Sequence, residues 1–222
     1  VAELAVPVEA LRSTPVEGAV ASALLVGDRA ICRVEECDLG NLITDAMLAD
    51  TGAQIAIMNG GGIRANIEEG DITVGEVLTV LPFGNLVSTF ELTGADVLAA
   101  LESGVSRVVV DGGNVVRDGA SGRFPQVGGM RFTYDPTQPE GSRIVSAEVM
   151  NEDGSFTAID PEVTYSLVSN DFLRTGGDGY TVFAESAIDP YDFGRPLDEV
   201  FANHLATLGD VGSAVEGRIT IE

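Results

Sequence analysis

This chain of 222 residues contains no lysine: its 12 basic side chains are all arginine, and it has one histidine and no tryptophan. A phosphate-binding loop of the Gly-Lys-Ser/Thr type needs a lysine ammonium, as do pyridoxal and Schiff-base catalysis. None of these can operate here. The lone histidine, His204, leaves one place for a histidine base or metal ligand. It lies three residues after Phe201 and four before Leu208, on the apolar side of an expected helix, which predicts a core or boundary position. Cysteine is nearly as scarce. Cys32 and Cys37 bracket four residues and have no second pair or histidine beside them, so a zinc site lacks its ligands. That leaves a disulfide, which would stabilise by about 2 kcal/mol and imply an oxidising compartment, or two buried thiols. No apolar run reaches the roughly 18 residues that span a bilayer, and residues 1–15 lack the basic-then-apolar order of a signal peptide. The chain is expected to be soluble and to be a piece of a longer protein.

Positive charge is the other scarcity. The net charge is −23, from 35 acidic residues against 12 arginines. Such a field repels nucleic acid and anionic membrane, so neither is an expected partner, and it suits solubility in a salty medium. An anionic ligand could bind only where the potential is locally reversed. Arginines beside glycine-rich loops therefore carry the most information.

Helix signals recur along the chain. Thr73-x-x-Glu76 and Thr93-x-x-Asp96 resemble capping boxes ahead of apolar stripes; Leu42, Ile43, Ala46 and Met47 form a stripe closed by Gly52; Pro196 opens and Gly209 closes the last helix. Strands are expected at 54–58, 86–92, 130–134, 144–150, 164–168 and 218–221. Helix and strand alternate in the first half, whereas the region after Gly128 is strand-rich with short turns. This predicts an α+β fold with mixed sheets. The one candidate linker is helix-like, at 3–13, giving an expected division into a linker end at 1–14 and a domain at 15–222.

Three glycine-punctuated segments are the candidate site. Asn59-Gly60-Gly61-Gly62-Ile63-Arg64 follows an expected strand, so its amides could face an anion while Arg64 forms a bidentate pair with phosphate. The same stretch satisfies Gly-x-Gly-x-x-Ala, but a dinucleotide fingerprint must open a helix, and Glu69-Gly70-Asp71 interrupts. Phe124 and Phe172 each lie next to a Gly-Gly pair, and paired aromatics suit base stacking; taken singly, each is better read as a core residue than as a ligand contact. Asp178, between Gly177 and Gly179, could accept from two ribose hydroxyls or simply form a turn.

These segments, with Cys32-Arg33-Val34-Glu35-Glu36-Cys37-Asp38-Leu39-Gly40-Asn41-Leu42 and Pro82-Phe83-Gly84-Asn85, resemble in order the C-terminal domain of the 5′-nucleotidase family. The resemblance runs from about Pro15 to Ile221. It implies that Phe124 and Phe172 sandwich a base, that Asn59 bonds to it, that Asp178 holds the ribose, and that Arg33 and Arg64 grip phosphate. Gly61, Gly62 and Gly177 would let backbone approach the ligand. It further implies a Cys32–Cys37 disulfide and a periplasmic or extracellular setting. The implied partners are a nucleotide or nucleoside and an N-terminal metallophosphatase domain, which carries two divalent metal ions and to which this domain rotates its substrate. The family's Asn-His-Asp and Gly-Asn-His metal motifs are missing here, so this segment is expected to hold no metal or other cofactor and to bind nucleotide without hydrolysing it. The rival expectations are a free-standing nucleotide-binding module and a related hydrolase of sulfur oxidation.

Overall fold

The structure is a computed structural model and describes residues 12–222. The expected linker end therefore lies almost wholly outside the described residues. The chain begins with β1 (Pro15–Ala21), α1 (Asp38–Thr51), β2 (Ile55–Asn59), β3 (Gly70–Thr73) and α2 (Val74–Val80). It continues through β4 (Val87–Thr93), α3 (Gly94–Val105), β5 (Val110–Asp111), β6 (Asn114–Val115), β7 (Pro125–Gly128), β8 (Met130–Tyr134), β9 (Ile144–Met150) and β10 (Phe156–Ala158). It ends with β11 (Thr164–Asn170), α4 (Asp171–Arg174), α5 (Thr181–Ser186), β12 (Ile188–Tyr191), α6 (Leu197–Leu208), β13 (Asp210–Val211) and β14 (Ile219–Ile221).

The helix boundaries follow the side chains that satisfy their free backbone ends. Before α2, Thr73 Oγ1 accepts from the Glu76 amide at 3.2 Å while the Thr73 amide donates to Glu76 Oε2 at 2.8 Å, a complete capping box. Thr93 Oγ1 accepts from the Asp96 amide before α3. Gly52 closes α1 in the left-handed region at φ 70°, and Pro196 and Gly209 bracket α6.

A five-stranded sheet in the order β12-β4-β11-β2-β7 divides the molecule. Strand β2 is buried along its whole length, which accounts for its unbroken run Ile-Ala-Ile-Met. Its pleat sends Ile55 and Ile57 into one core with Phe90, Val97 and Leu101, and Ala56 and Met58 into another with Leu39, Ile43 and Phe201. The first core is closed by α3 and by a second sheet, β10-β9-β8-β14; the second is closed by α1, α6 and a small sheet, β13-β1-β3. Parallel and antiparallel pairs coexist in the central sheet, as expected for a mixed α+β fold.

This sheet gathers the candidate site. Strands β2 and β11 run parallel, so their carboxyl ends, Asn59 and Asn170, emerge at the same edge. Strands β7 and β4 are antiparallel to them, so their beginnings lie there too, with Asn59 opposite Pro125 and Asn170 opposite Val87. Four segments far apart in sequence, ending or starting at those four residues, converge at one edge. The carboxyl ends of parallel strands are the usual ligand side of such sheets.

Candidate functional site

At that edge lies a cavity of about 370 Å³. Seven of the residues expected at the site line it: Arg33, Asn59, Gly61, Gly62, Arg64, Phe172 and Asp178. Gly177 does not. It lies beneath Phe172, where a β-carbon would come within 2.6 Å of the ring. Its lack of a side chain leaves room for that ring.

Phe124 corrects the expectation. It is 1% exposed, packs against Tyr134 with ring centroids 5.6 Å apart, and lies in the core closed by α3 and the second sheet. It does not line the cavity. The aromatic that does, together with Phe172, is Phe83. Phe83 is 59% exposed and Phe172 44%. Phe83 stands on the turn before β4, where Gly84 adopts φ 64°, and the Arg64 guanidinium lies 5.6 Å from its ring centroid. The motif Pro82-Phe83-Gly84-Asn85 held the signal: a phenylalanine beside a glycine that must turn is raised from the surface. Phe124, one residue before β7, is instead drawn into the core.

The triglycine segment brings a second correction. The Gly60 amide donates to Phe124 O at 2.8 Å and the Gly61 amide to Gly122 O at 2.7 Å. Two of the three amides expected to face an anion are thus spent on stitching this segment to the loop before β7. The contact is close enough that a β-carbon on Gly61 would meet the Gly122 α-carbon at 2.6 Å, which explains glycine there. The positive charge at the cavity comes from arginine side chains, Arg33 and Arg64.

Arg117, Arg131, Arg174, Arg195 and Arg218 pair with carboxylates, whereas Arg33 and Arg64 form no ion pair among the described residues. Arg33 Nη1 donates to Ala120 O at 3.0 Å and its buried Nε has no partner among the described residues. Burial lowers the Arg33 pKa below the usual arginine value, and the neighbouring charges of Arg29 and Arg64 lower it further, with Asp178 opposing. Three arginines are thus near enough to influence one another in a chain of net charge −23, a local concentration of positive charge that an anion could use. Arg29, four residues before Arg33, was not singled out from sequence.

The loop that carries Arg33 is held from both sides. Cys32 and Cys37 form the expected disulfide, with Cα atoms 5.3 Å apart. The fully buried Gln126 side chain donates to Cys32 O at 2.9 Å and Glu35 O at 2.7 Å, and accepts from the Cys37 amide at 3.2 Å. The Tyr134 hydroxyl donates to Val34 O, and burial raises its pKa well above the ordinary tyrosine value, keeping it a neutral donor.

Polar groups line the rest. Asn59 Nδ2 donates to Asp178 Oδ2 at 2.8 Å, and Asn85 Nδ2 to Asp171 Oδ1 at 2.8 Å. Asp178 adopts φ 54°, an unusual conformation for a residue with a side chain that Asp tolerates better than most. It is held by its flanks: Ser103 Oγ donates to Gly179 O, and the Tyr180 hydroxyl to Arg123 O. The cavity thus combines two exposed aromatics, a cationic corner, a carboxylate and two amides. Stacking, anion pairing and hydroxyl recognition are all available within it. His204 is half-buried on α6, where burial lowers its pKa; it is not part of the site. Among the described residues no group of three or more His, Cys, Asp or Glu could hold a metal ion, and no helix is long and apolar enough to cross a membrane.

The chain is similar to known proteins over most of its length. Residues 16–185 match the family described as 5′-nucleotidase, C-terminal domain. A trifunctional nucleotide phosphoesterase of Bacillus subtilis is 42% identical over 200 residues, covering 88% of this chain and 13% of that protein. An apyrase of Tabanus yao is 34% identical over 218 residues, covering 91% of this chain and 38% of that protein. The crystal structure of a 5′-nucleotidase precursor from Thermus thermophilus superposes with a TM-score of 0.88 at 45% identity, over 97% of this chain and 41% of that one. In each case the chain spans less than half of its relative. The chain belongs to the 5′-nucleotidase C-terminal domain family.

Proposed function

We propose that this chain is the substrate-holding domain of a nucleotide phosphoester hydrolase, and that the cavity at the sheet edge is its nucleotide site. The observation that carries the reading is the sharing of one cavity by Phe83, Phe172, Asp178, Arg33 and Arg64. A base fits the aromatic pair, ribose hydroxyls fit Asp178, and phosphate fits the arginine corner with Arg29 adding charge at its margin. Asn59 and Asn85 supply hydrogen bonds to the base or ribose. The aromatic pair disfavours an inorganic substrate, for which stacking surface would be idle.

Phosphoester hydrolysis in this reading is carried out by an N-terminal metallophosphatase domain outside this segment, where two divalent ions would activate water or hydroxide against phosphorus. This segment alone binds and does not hydrolyse. The names of relatives support the hydrolytic assignment, since several are called 5′-nucleotidases and one a nucleotide phosphoesterase. Some are named as snake venom enzymes, which together with the disulfide supports a periplasmic or extracellular setting.

The test is calorimetric titration of adenosine, adenosine 5′-monophosphate and ribose 5-phosphate onto the chain, followed by a phosphate-release assay with added zinc, manganese, cobalt and magnesium. The reading expects the monophosphate to bind more tightly than either fragment, with no phosphate released. Equal affinity for all three ligands, or release that survives removal of contaminating phosphatases, would contradict it.

A further inference from the structure

Asn170, the last residue of β11, is 1% exposed and does not line the cavity, yet it is bonded to the residues that do. Its Oδ1 accepts from the Leu173 amide at 2.8 Å, capping the short helix that carries Phe172. Its Nδ2 donates to Asn59 Oδ1 at 3.0 Å and has Met58 Sδ, a weak acceptor, at 3.0 Å. Asn59 Nδ2 in turn donates to Asp178 Oδ2 at 2.8 Å.

The direction of this chain of bonds is fixed by its ends. The Leu173 amide is only a donor, so the Asn170 carbonyl oxygen must face it. The Asn170 amino group then faces Asn59 and can only donate, so Asn59 must present its oxygen there. The Asn59 amino group is thereby turned to Asp178, an acceptor. Both ends agree, and no member can flip without opposing two donors or two acceptors in a buried setting. Two consequences reach the ligand. The Asn59 oxygen is turned toward the buried Asn170, and its amino group keeps one N–H beyond the one given to Asp178. Asp178 has one oxygen occupied by a donor that holds the carboxylate in place, leaving Oδ1 without a protein donor among the described residues.

We infer that Asn170 is a positioning residue that sets the hydrogen-bond polarity of the site: by turning the Asn59 amino group toward Asp178 it holds that carboxylate ready for ribose hydroxyls. This inference rests on the nucleotide reading of the cavity. The sequence hides the role, because Asn170 precedes the Phe172 segment as an ordinary helix cap.

The decisive experiment measures binding of adenosine and 2′,3′-dideoxyadenosine by calorimetry to the wild-type chain, Asn170→Asp and Asn170→Ser. The serine variant keeps a hydroxyl able to cap Leu173 but too short to reach Asn59, and it introduces no charge, so it remains informative if the aspartate variant does not fold. The wild type is expected to prefer the ribonucleoside by about tenfold or more, the usual effect of a hydrogen bond to a carboxylate. Both variants are expected to lose most of that preference, because Asn59 no longer holds Asp178. A purely structural role would weaken both ligands alike and leave their ratio unchanged; a wild-type ratio in a folded variant overturns the inference while the nucleotide reading stands. A wild-type chain that binds neither nucleoside refutes the nucleotide reading, and this inference with it.

Discussion

Phe83 and Phe124 separate a ligand contact from a core residue, and truncating each to alanine should perturb different quantities. Phe83 is 59% exposed, and among the described residues its ring contact is with the Arg64 guanidinium at 5.6 Å. An exposed cation–π contact contributes about 0.5–1 kcal/mol, so Phe83→Ala should cost at most about 1 kcal/mol of stability. If the ring stacks on a base, the same change should cost about 1–3 kcal/mol of adenosine affinity. With 1.4 kcal/mol per decade, that is roughly a 5- to 150-fold weaker dissociation constant. Phe172→Ala should behave similarly. Phe124 is 1% exposed and packed on Tyr134, and deletion of such a ring typically costs about 3–5 kcal/mol of stability. For a domain of this size each kcal/mol lowers the melting temperature by about 2–4 °C, so Phe124→Ala should melt about 6–20 °C lower. Its Gly60 contact is made by backbone, so adenosine affinity measured well below the melting point should change less than in Phe83→Ala. Calorimetric melting and titration of the three variants give both quantities. Loss of adenosine binding in a Phe124→Ala protein of native stability, with Phe83→Ala binding normally, would refute the assignment.

Arg64→Ala should weaken adenosine 5′-monophosphate by about tenfold or more, the worth of a charge-assisted hydrogen bond, while leaving adenosine nearly unchanged; equal losses for both ligands would show that Arg64 only supports Phe83. The unreduced protein should contain no alkylatable thiol. Replacing both Cys32 and Cys37 by serine should cost about 2 kcal/mol of stability and weaken the monophosphate more than adenosine, because the loop carries Arg33; thiol titration and the same ligand pair check this. The melting temperature should rise between 0.05 and 1 M KCl, over which the screening length falls from above 10 Å to about 3 Å and the repulsion behind a net charge of −23 is damped. A flat or falling curve would mean that the acidic surface does not strain the fold.

The sequence revealed the fold better than the site, for physical reasons visible in particular residues. Strands Met130–Tyr134 and Ile144–Met150 fall where expected, because turn-forming glycines and prolines bound runs rich in apolar and β-branched residues. The capping box at Thr73, the threonine cap at Thr93 and the glycine stops at Gly52 and Gly209 placed four helices, since each is a local hydrogen-bonding requirement. The short strands β5, β6, β10 and β13 went unseen, and so did β1, β3, β7 and β12. Three of these last four contain proline and all are short or irregular, and they are strands because of partners distant in sequence.

Arg33, Asn59, Arg64, Phe172 and Asp178 meet in one cavity, as their motifs implied. Which of two glycine-flanked phenylalanines faces a cavity depends on what packs behind each, and Tyr134 and α3 are invisible to a local reading. The Gly60 and Gly61 amides were misjudged for the same reason. Their acceptors, Phe124 O and Gly122 O, arrive about 60 residues later on the loop leading into β7, placed by a register that only the assembled sheet supplies.

The central claim is that one nucleotide occupies the cavity with its base on Phe83 and Phe172 and its phosphate at Arg33 and Arg64. A crystal structure of the chain with adenosine 5′-monophosphate tests it most directly. The account predicts the purine against both rings, ribose hydroxyls on Asp178, phosphate at the arginine corner and Phe124 still buried against Tyr134. A nucleotide bound elsewhere on the surface, or Phe124 swung out to take the place of Phe83, would contradict it.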